Sequence, residues 1–279
     1  MSRHYSRKHE HVDYPVKAYD NPEFIHSSDG RLIRVMSEMI EPKHRFTKYN
    51  IKDSIAFFGS ARTKSREDSE KNLAEAKASG DSEAIADAET WLEMSRYYEE
   101  ARELSRMLTE WSKSKKFHHF ISSGGGPGIM EAANRGASEV PGGHSIGLNI
   151  SLPFEQSCNP YITPELNFEF NYFFVRKFWF TYTAKAIVAF PGGLGTLDEL
   201  CEILTLIQTE KILKKMPIII YGKQYWKEVI NFEALMKYNM ICPKDLELFK
   251  FCDSPQEAFD YLTPILEDLH ERRAKGEKI

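Results

Sequence analysis

Ala189-Phe-Pro-Gly-Gly-Leu-Gly-Thr-Leu-Asp-Glu199 decides how this chain is read. The apolar run 186–190 has the character of a buried strand, and it stops at Pro191. Gly192, Gly193 and Gly195 follow, then Thr196, then a helix-like apolar pattern. A strand, a glycine-rich turn and a helix N-terminus leave backbone N–H groups unpaired and let a ligand approach the main chain closely. The helix dipole adds partial positive charge at the same point. Such a turn suits a phosphate. Glu199 would stand within a helical turn of that phosphate, an unhelpful place for an anion unless the carboxylate acts on neighbouring atoms.

Working outward, strands and helices alternate. Ser54-Ile-Ala-Phe-Phe-Gly-Ser60 is the first clear strand, breaking at Gly59-Ser60-Ala61 with Arg62 next. Residues 64–114 carry charge and alanine, split at Ser79-Gly80-Asp81 into a shorter and a longer helix. The part before Tyr97 reads as an insertion. From Tyr97 onward Ala101, Leu104, Leu108 and Trp111 share a stripe suited to a crossover helix. A second strand at 117–122 leads into Gly124-Gly-Gly-Pro-Gly128 and a helix from Ile129. A third strand covers 145–150, followed by a loop with Pro153, Pro160 and Pro164. The aromatic segment 171–184, carrying Arg176 and Lys177, reads as a helix. The strand 186–190 is fourth, with a helix at 196–211. Then come a strand at 217–221, a helix at 224–238, a short strand at 248–252 and a closing helix at 255–273.

This alternation predicts an α/β fold, a doubly wound parallel sheet with helices on both faces. In the order 3-2-1-4-5-6, counted along the chain, the first and fourth strands are neighbours whose connections leave in opposite directions. A crevice opens at their C-terminal ends. The Gly59–Ala61 turn and the Gly192–Thr196 turn would face each other there, with the 124–128 loop as a wall. The N-terminal end of the 171–184 helix would bring Arg176 to the same crevice, where a guanidinium can pair with phosphate or polarise a leaving group.

The remaining sequence bounds the function. At 279 residues the chain is one large domain or a domain with appendages. Its net charge of −4 argues against a nucleic-acid coat. No apolar run nears the roughly 18 residues of a membrane span, and the N-terminus lacks a signal-peptide core, so a cytoplasmic location is expected. The four cysteines, Cys158, Cys201, Cys242 and Cys252, have no metal or C-x-x-C spacing and read as buried or half-buried reduced thiols. Residues 1–20, with His4, His9 and His11, read as a solvated arm rather than a metal tail. Leu32, Ile33, Val35, Met36, Met39 and Ile40 fit one amphipathic helix ended by Pro42, packing on the main domain or a second subunit. Residues 1–50 are thus an extension, 51–279 the main domain, and about 64–96 a helical insert.

Several alternatives stand beside this reading. The dinucleotide fingerprint G-x-G-x-x-G is met after none of the strands: Glu131 stands where the last glycine should follow Gly126 and Gly128. No Walker motif is present. Thr196-x-x-Glu199 is also a capping-box pattern, in which Glu199 would only bond the N-cap backbone. On the residues alone, capping and catalysis are both open. Arg176 and Lys177 could be a solvated pair, but their setting among Phe173, Phe174, Val175, Phe178, Trp179 and Phe180 favours placement for a purpose. His118, His119 and His144 lack arranged partners and read as structural or surface residues.

Pro191-Gly-Gly-x-Gly-Thr-x-x-Glu199, preceded by Arg176-Lys177, resembles the Lonely Guy (LOG) family of nucleoside 5′-monophosphate phosphoribohydrolases, whose bacterial members are often labelled lysine decarboxylases. Phe58-Gly-Ser-Ala-Arg62, Gly124-Gly-Gly-Pro-Gly-Ile-Met-Glu-Ala-Ala133 and Leu152-Pro-x-Glu-Gln156 resemble its longer bacterial branch. The similarity spans about 54–265. The resemblance implies a Rossmann-like nucleotide-binding catalytic domain that hydrolyses the N-glycosidic bond of AMP or a cytokinin riboside monophosphate, giving free base and ribose 5-phosphate. It implies Arg176 and Glu199 as the catalytic pair. It implies Gly59, Ser60, Gly125, Gly126, Lys177, Gly192, Gly193, Gly195 and Thr196 as the substrate-binding set. It implies no cofactor and no metal, and a homodimer or larger oligomer, for which the 170s helix is a candidate interface. Shorter members carry Met-His where this chain has Phe173-Phe174, a departure that bears on base choice. The competing class is a non-catalytic nucleotide or molybdenum-cofactor carrier, which shares this fold and loop.

Overall fold

The structure, a computed structural model, describes residues 15–115, 117–153 and 157–277. The polar arm at 1–14, with its three histidines, and the Glu155-Gln156 end of the Leu152 motif lie outside the described residues. One compact unit ends at Glu41 and the second runs from Pro42 onward.

The first unit holds a 3-10 turn at Ala18–Asp20, the helix α1 (Pro22–His26) and the first part of α2 (Arg31–Lys48). The Asn21 side chain caps α1 by accepting from the Phe24 N–H, and Pro22 at the first helical position has no N–H to satisfy. Leu32, Ile33, Met36 and Ile40 are exposed on α2. Pro42 does not end this helix, as the sequence suggested, and α2 continues to Lys48. The last turns bury Phe46, whose ring lies 4.9 Å from Phe168 and 5.4 Å from Trp179, and this burial offsets the hydrogen bond that proline cannot make.

The second unit is a seven-stranded, all-parallel sheet wrapped by helices. In chain order it contains β1 (Asp53–Phe58), α3 (Arg66–Ser79), α4 (Ser82–Ser114), β2 (His119–Ser123), α5 (Ile129–Ser138), β3 (Ser145–Ile150) and β4 (Asn167–Phe170). It continues with α6 (Phe173–Thr183), β5 (Ala184–Ala189), α7 (Leu194–Gln208) and β6 (Ile218–Tyr221). It closes with α8 (Lys223–Val229), α9 (Phe232–Lys237), β7 (Lys250–Cys252) and α10 (Pro255–Ala274). The strand order is β4-β3-β2-β1-β5-β6-β7, a Rossmann-like α/β arrangement. The central pair β1 and β5 runs in register from Ile55 opposite Ala186 to Phe58 opposite Ala189. Near-continuous apolar runs in β1, β5 and β6 follow from burial on both faces. Ile55, Phe57, Val188 and Ile219 pack against Tyr98, Ala101, Leu104 and Leu108 of α4. No helix among the described residues is long and apolar enough to cross a membrane.

Other features of this unit also differ from expectation. The strand β4 lies in the stretch read as loop. Its exposure alternates, with Phe168 and Phe170 buried and Glu169 exposed, and it pairs with β3 at the sheet edge. The segment after β6 is two helices, because the Asn231 side chain accepts from the Ala234 N–H and starts α9 afresh. Of the cysteines only Cys252 is buried, whereas Cys158, Cys201 and Cys242 are exposed free thiols.

Candidate active site

The cleft forms where the turns after β1, β2 and β5 meet, and backbone hydrogen bonds tie them together. The Phe190 N–H donates to the Phe58 carbonyl at 2.8 Å, and the Ser60 N–H donates to the Pro191 carbonyl at 3.0 Å. The Ser60 carbonyl accepts from the Ile129 N–H at 3.0 Å. Both main-chain groups of Ser60 are therefore engaged, and its hydroxyl accepts from the Arg62 N–H at 3.0 Å. Gly59 lies against Ile129, where a Cβ would come within 2.6 Å of that side chain.

The turn after β5 is held from below and open above. A Cβ at Gly192 would sit 2.2 Å from the Thr196 hydroxyl and 3.0 Å from the Ser60 nitrogen, so these three residues are in close contact. Tyr225 of α8 donates its hydroxyl to the Gly192 carbonyl at 2.9 Å. By contrast, a Cβ at Gly193 or Gly195 would meet nothing within 4 Å. Gly193 is the N-cap of α7 and no side chain caps it. The helix begins with Leu194, so Thr196 and Glu199 are the third and sixth helical residues, and the capping box read from Thr196-x-x-Glu199 does not form.

Glu199 turns instead to Arg176. The guanidinium Nη2 donates to Oε1 at 2.8 Å, with only 10% and 14% of the two side chains exposed. The Arg176 guanidinium also packs on the rings of Phe173 and Phe180, at 5.2 and 5.8 Å from their centroids. Its Nε is buried with no hydrogen-bond partner among the described residues. Nη1 would lie 3.8 Å from a Cβ on Gly124, which places the arginine between the β2 loop and Glu199. Burial pushes the Glu199 carboxyl up to about 7, against the opposing pull of the Arg176 charge. Its neighbour Lys177 points its ammonium at Asp198 and Glu202, at 2.7 and 2.9 Å.

The 124–128 loop rests on a buried polar network that the sequence reading missed. Asn159 donates to the Gly125 and Gly126 carbonyls, each at 3.0 Å, and to the Asn134 Oδ1 at 3.0 Å. The Ser123 hydroxyl donates to the same Oδ1 at 2.6 Å. Gly125 and Gly126 are buried with their carbonyls bound to this asparagine, and Gly124 is the part of the loop nearest Arg176. Gly125 has φ +74° and lies so close to Asn149 that a Cβ would sit 2.1 Å from its Oδ1. One signal was available: Asn134 is the polar residue on the otherwise alanine-rich buried face of α5. Asn159 and Tyr225 carry no local signature, since their partners lie 33 or 34 positions away.

Residues 130–262 match the model of a protein family described as possible lysine decarboxylase. The match covers just under half of the chain, and its description agrees with the motif resemblance to the LOG family. The matched segment contains Arg176, Glu199 and the whole β5 turn, and it begins after the glycines of the β2 loop. A comparison with curated proteins finds no significant match.

The open face over Gly193 and Gly195 supports a first prediction. Gly195→Ala is expected to leave stability unchanged or raise it by about 0.5–1 kcal/mol, since alanine is the better helix residue and has free space. If a ligand phosphate lies on this turn, the added methyl weakens its binding roughly tenfold or more. Thermal melts and phosphate-ligand titrations of the variant check both halves.

Proposed function

We propose that the chain hydrolyses the N-glycosidic bond of a nucleoside 5′-monophosphate, releasing free base and ribose 5-phosphate. The buried Arg176–Glu199 pair beside an open, uncapped helix N-terminus carries this reading. In it, the Gly192–Thr196 turn and the α7 dipole hold the 5′-phosphate. Anchoring that remote group fixes the ribose relative to Glu199, so binding energy contributes to the chemical step. The C1′–N bond breaks as a water oxygen bonds to C1′. One water proton ends on the departing base nitrogen and the other stays on the new C1′ hydroxyl. A carboxyl poised at about 7 can exist in both forms near neutrality. Its ionised form stabilises positive charge at C1′ and accepts the water proton, and its neutral form can return a proton to the base. Arg176 holds the carboxylate in place through its Nη2 bond.

A lysine decarboxylase would need a lysine able to form a Schiff base. Lys177, the lysine next to Arg176, suits this poorly. Burial alone would lower its pKa, but hydrogen bonds to Asp198 and Glu202 outweigh that and raise it. For the oligomer, Phe173, Phe174, Phe178 and Tyr182 form an exposed aromatic face on α6. This face is the surface through which a second copy would dock, next to the cleft.

Purified protein incubated with AMP is expected to yield adenine and ribose 5-phosphate, resolved by liquid chromatography. Tight binding of AMP without cleavage of any common monophosphate would favour the carrier reading and defeat the hydrolase.

A further inference from the structure

At the end of the sheet opposite the glycine-rich turns, Asp53 and His119, the first residues of β1 and β2, and Lys185 near the start of β5 line a small pocket open to solvent. Lys185, Lys214, Lys215 and Arg273 converge on it, with Asp53 the carboxylate among its lining residues. This excess of positive charge occurs in a chain whose net charge is −4.

The cations are unequally matched. Asp53 is shared between Lys185 at 3.4 Å and Arg273 at 3.3 Å. Lys214 donates to the carbonyls of Thr181 and Ala184, at 2.5 and 2.7 Å, and so covers the negative end of the α6 dipole. Lys215 is exposed and makes no ion pair among the described residues. Burial, and then the charge of Lys185, lower the Lys214 pKa to about 8, which reflects a site crowded with cations.

The second observation is His119. It lines the pocket at 7% exposure, and its buried Nδ1 has no hydrogen-bond partner among the described residues. Its ring stacks on Trp111, with centroids 5.7 Å apart, and meets the edge of Phe117 at 5.4 Å. Burial keeps this imidazole neutral by lowering its pKa to about 4. A neutral ring adds nothing to the repulsion among the cations. A buried polar atom without a partner is uncommon and costs free energy until something satisfies it.

We propose that this basal pocket is a second anion site, taking the phosphate group of a small molecule between Lys185, Lys215 and Arg273, over the neutral ring of His119. A dianionic phosphate matches an excess of more than one positive charge better than a carboxylate does. The site is separate from the cleft and does not depend on the reaction proposed for it.

The test uses inorganic phosphate as probe, on the full chain carrying Gly195→Asp. That substitution places a carboxylate at the α7 turn and removes phosphate binding there. Phosphate is expected to raise Tm in a saturable way beyond sodium chloride of equal ionic strength, and to shift the His119 ring signals in NMR. Adding Lys215→Ala and Arg273→Ala, both at exposed positions, is expected to weaken the apparent affinity at least tenfold. Lys215→Gln with Arg273→Gln should repeat that loss while keeping side-chain bulk. An absence of phosphate-specific stabilisation in the Gly195→Asp protein would overturn the proposal, as would full retention in the Lys215 and Arg273 double variants. An equal response to acetate would overturn the phosphate assignment.

Discussion

Replacing Glu199 by glutamine is expected to lower kcat on a nucleoside monophosphate by about 10²–10⁴-fold. Glutamine keeps an oxygen for the Arg176 Nη2 bond at 2.8 Å, so the geometry survives and the charge is lost. The expected pH behaviour is specific. The folded carboxyl sits at about 7, above the 4.5 of a free glutamate. Between these values the folded state binds more protons than the unfolded one, so stability falls as pH rises through this window and levels off above it. The contribution is about 2–4 kcal/mol across the window. The Glu199→Gln protein lacks this slope, so the difference in Tm between variant and wild type should drift in the variant's favour from pH 4.5 to 7. An inflection near pH 7 in the wild-type pH–rate profile should disappear with it. Activity within tenfold of wild type would remove Glu199 from the chemistry, and a flat Tm difference would remove its raised pKa.

The second large effect is expected at Gly128. Its φ of +73° and ψ of −133° belong to a region that side-chain-bearing residues rarely enter. A Cβ there would come within 2.3 Å of the Ser60 carbonyl oxygen and within 2.9 Å of the Ala61 backbone. Neither neighbour can rotate away, since both are main chain. Gly128→Ala should therefore destabilise the protein by about 3 kcal/mol or more, or roughly 6–12 °C in Tm. Gly195→Ala is the matched control, with the same added methyl and no loss of stability. A Gly128→Ala protein that melts with wild type would show that the three-turn junction deforms freely.

The alternation of apolar runs with turn residues made most of the sheet legible. Strands such as Ile55-Ala-Phe-Phe58 are apolar throughout because both their faces are covered. The meeting of the Ser60 and Gly192 turns followed from strand order alone. What escaped reading depends on partners distant in the chain. Asn167–Phe170 is four residues long and becomes a strand only by pairing with β3. Pro42 is tolerated in α2 because Phe46 has an aromatic pocket supplied by residues more than 100 positions away. The Thr196–Glu199 spacing fits a capping box, which is absent because α7 begins earlier, at Leu194, and Glu199 pairs with Arg176 instead. Asn134 and Asn159 meet across 25 positions, and no periodicity connects them.

The junction at Ser60 has a consequence for how this cleft can diversify. The bonds that join the three turns run between main-chain N–H and carbonyl groups, which every residue but proline supplies. The three bonds at that junction therefore place no demand on side-chain identity, unlike the Asn159 network that supports the 124–128 loop. At this junction the chain's register is kept by peptide groups, so the three turns can stay joined while the side chain at Ser60 varies.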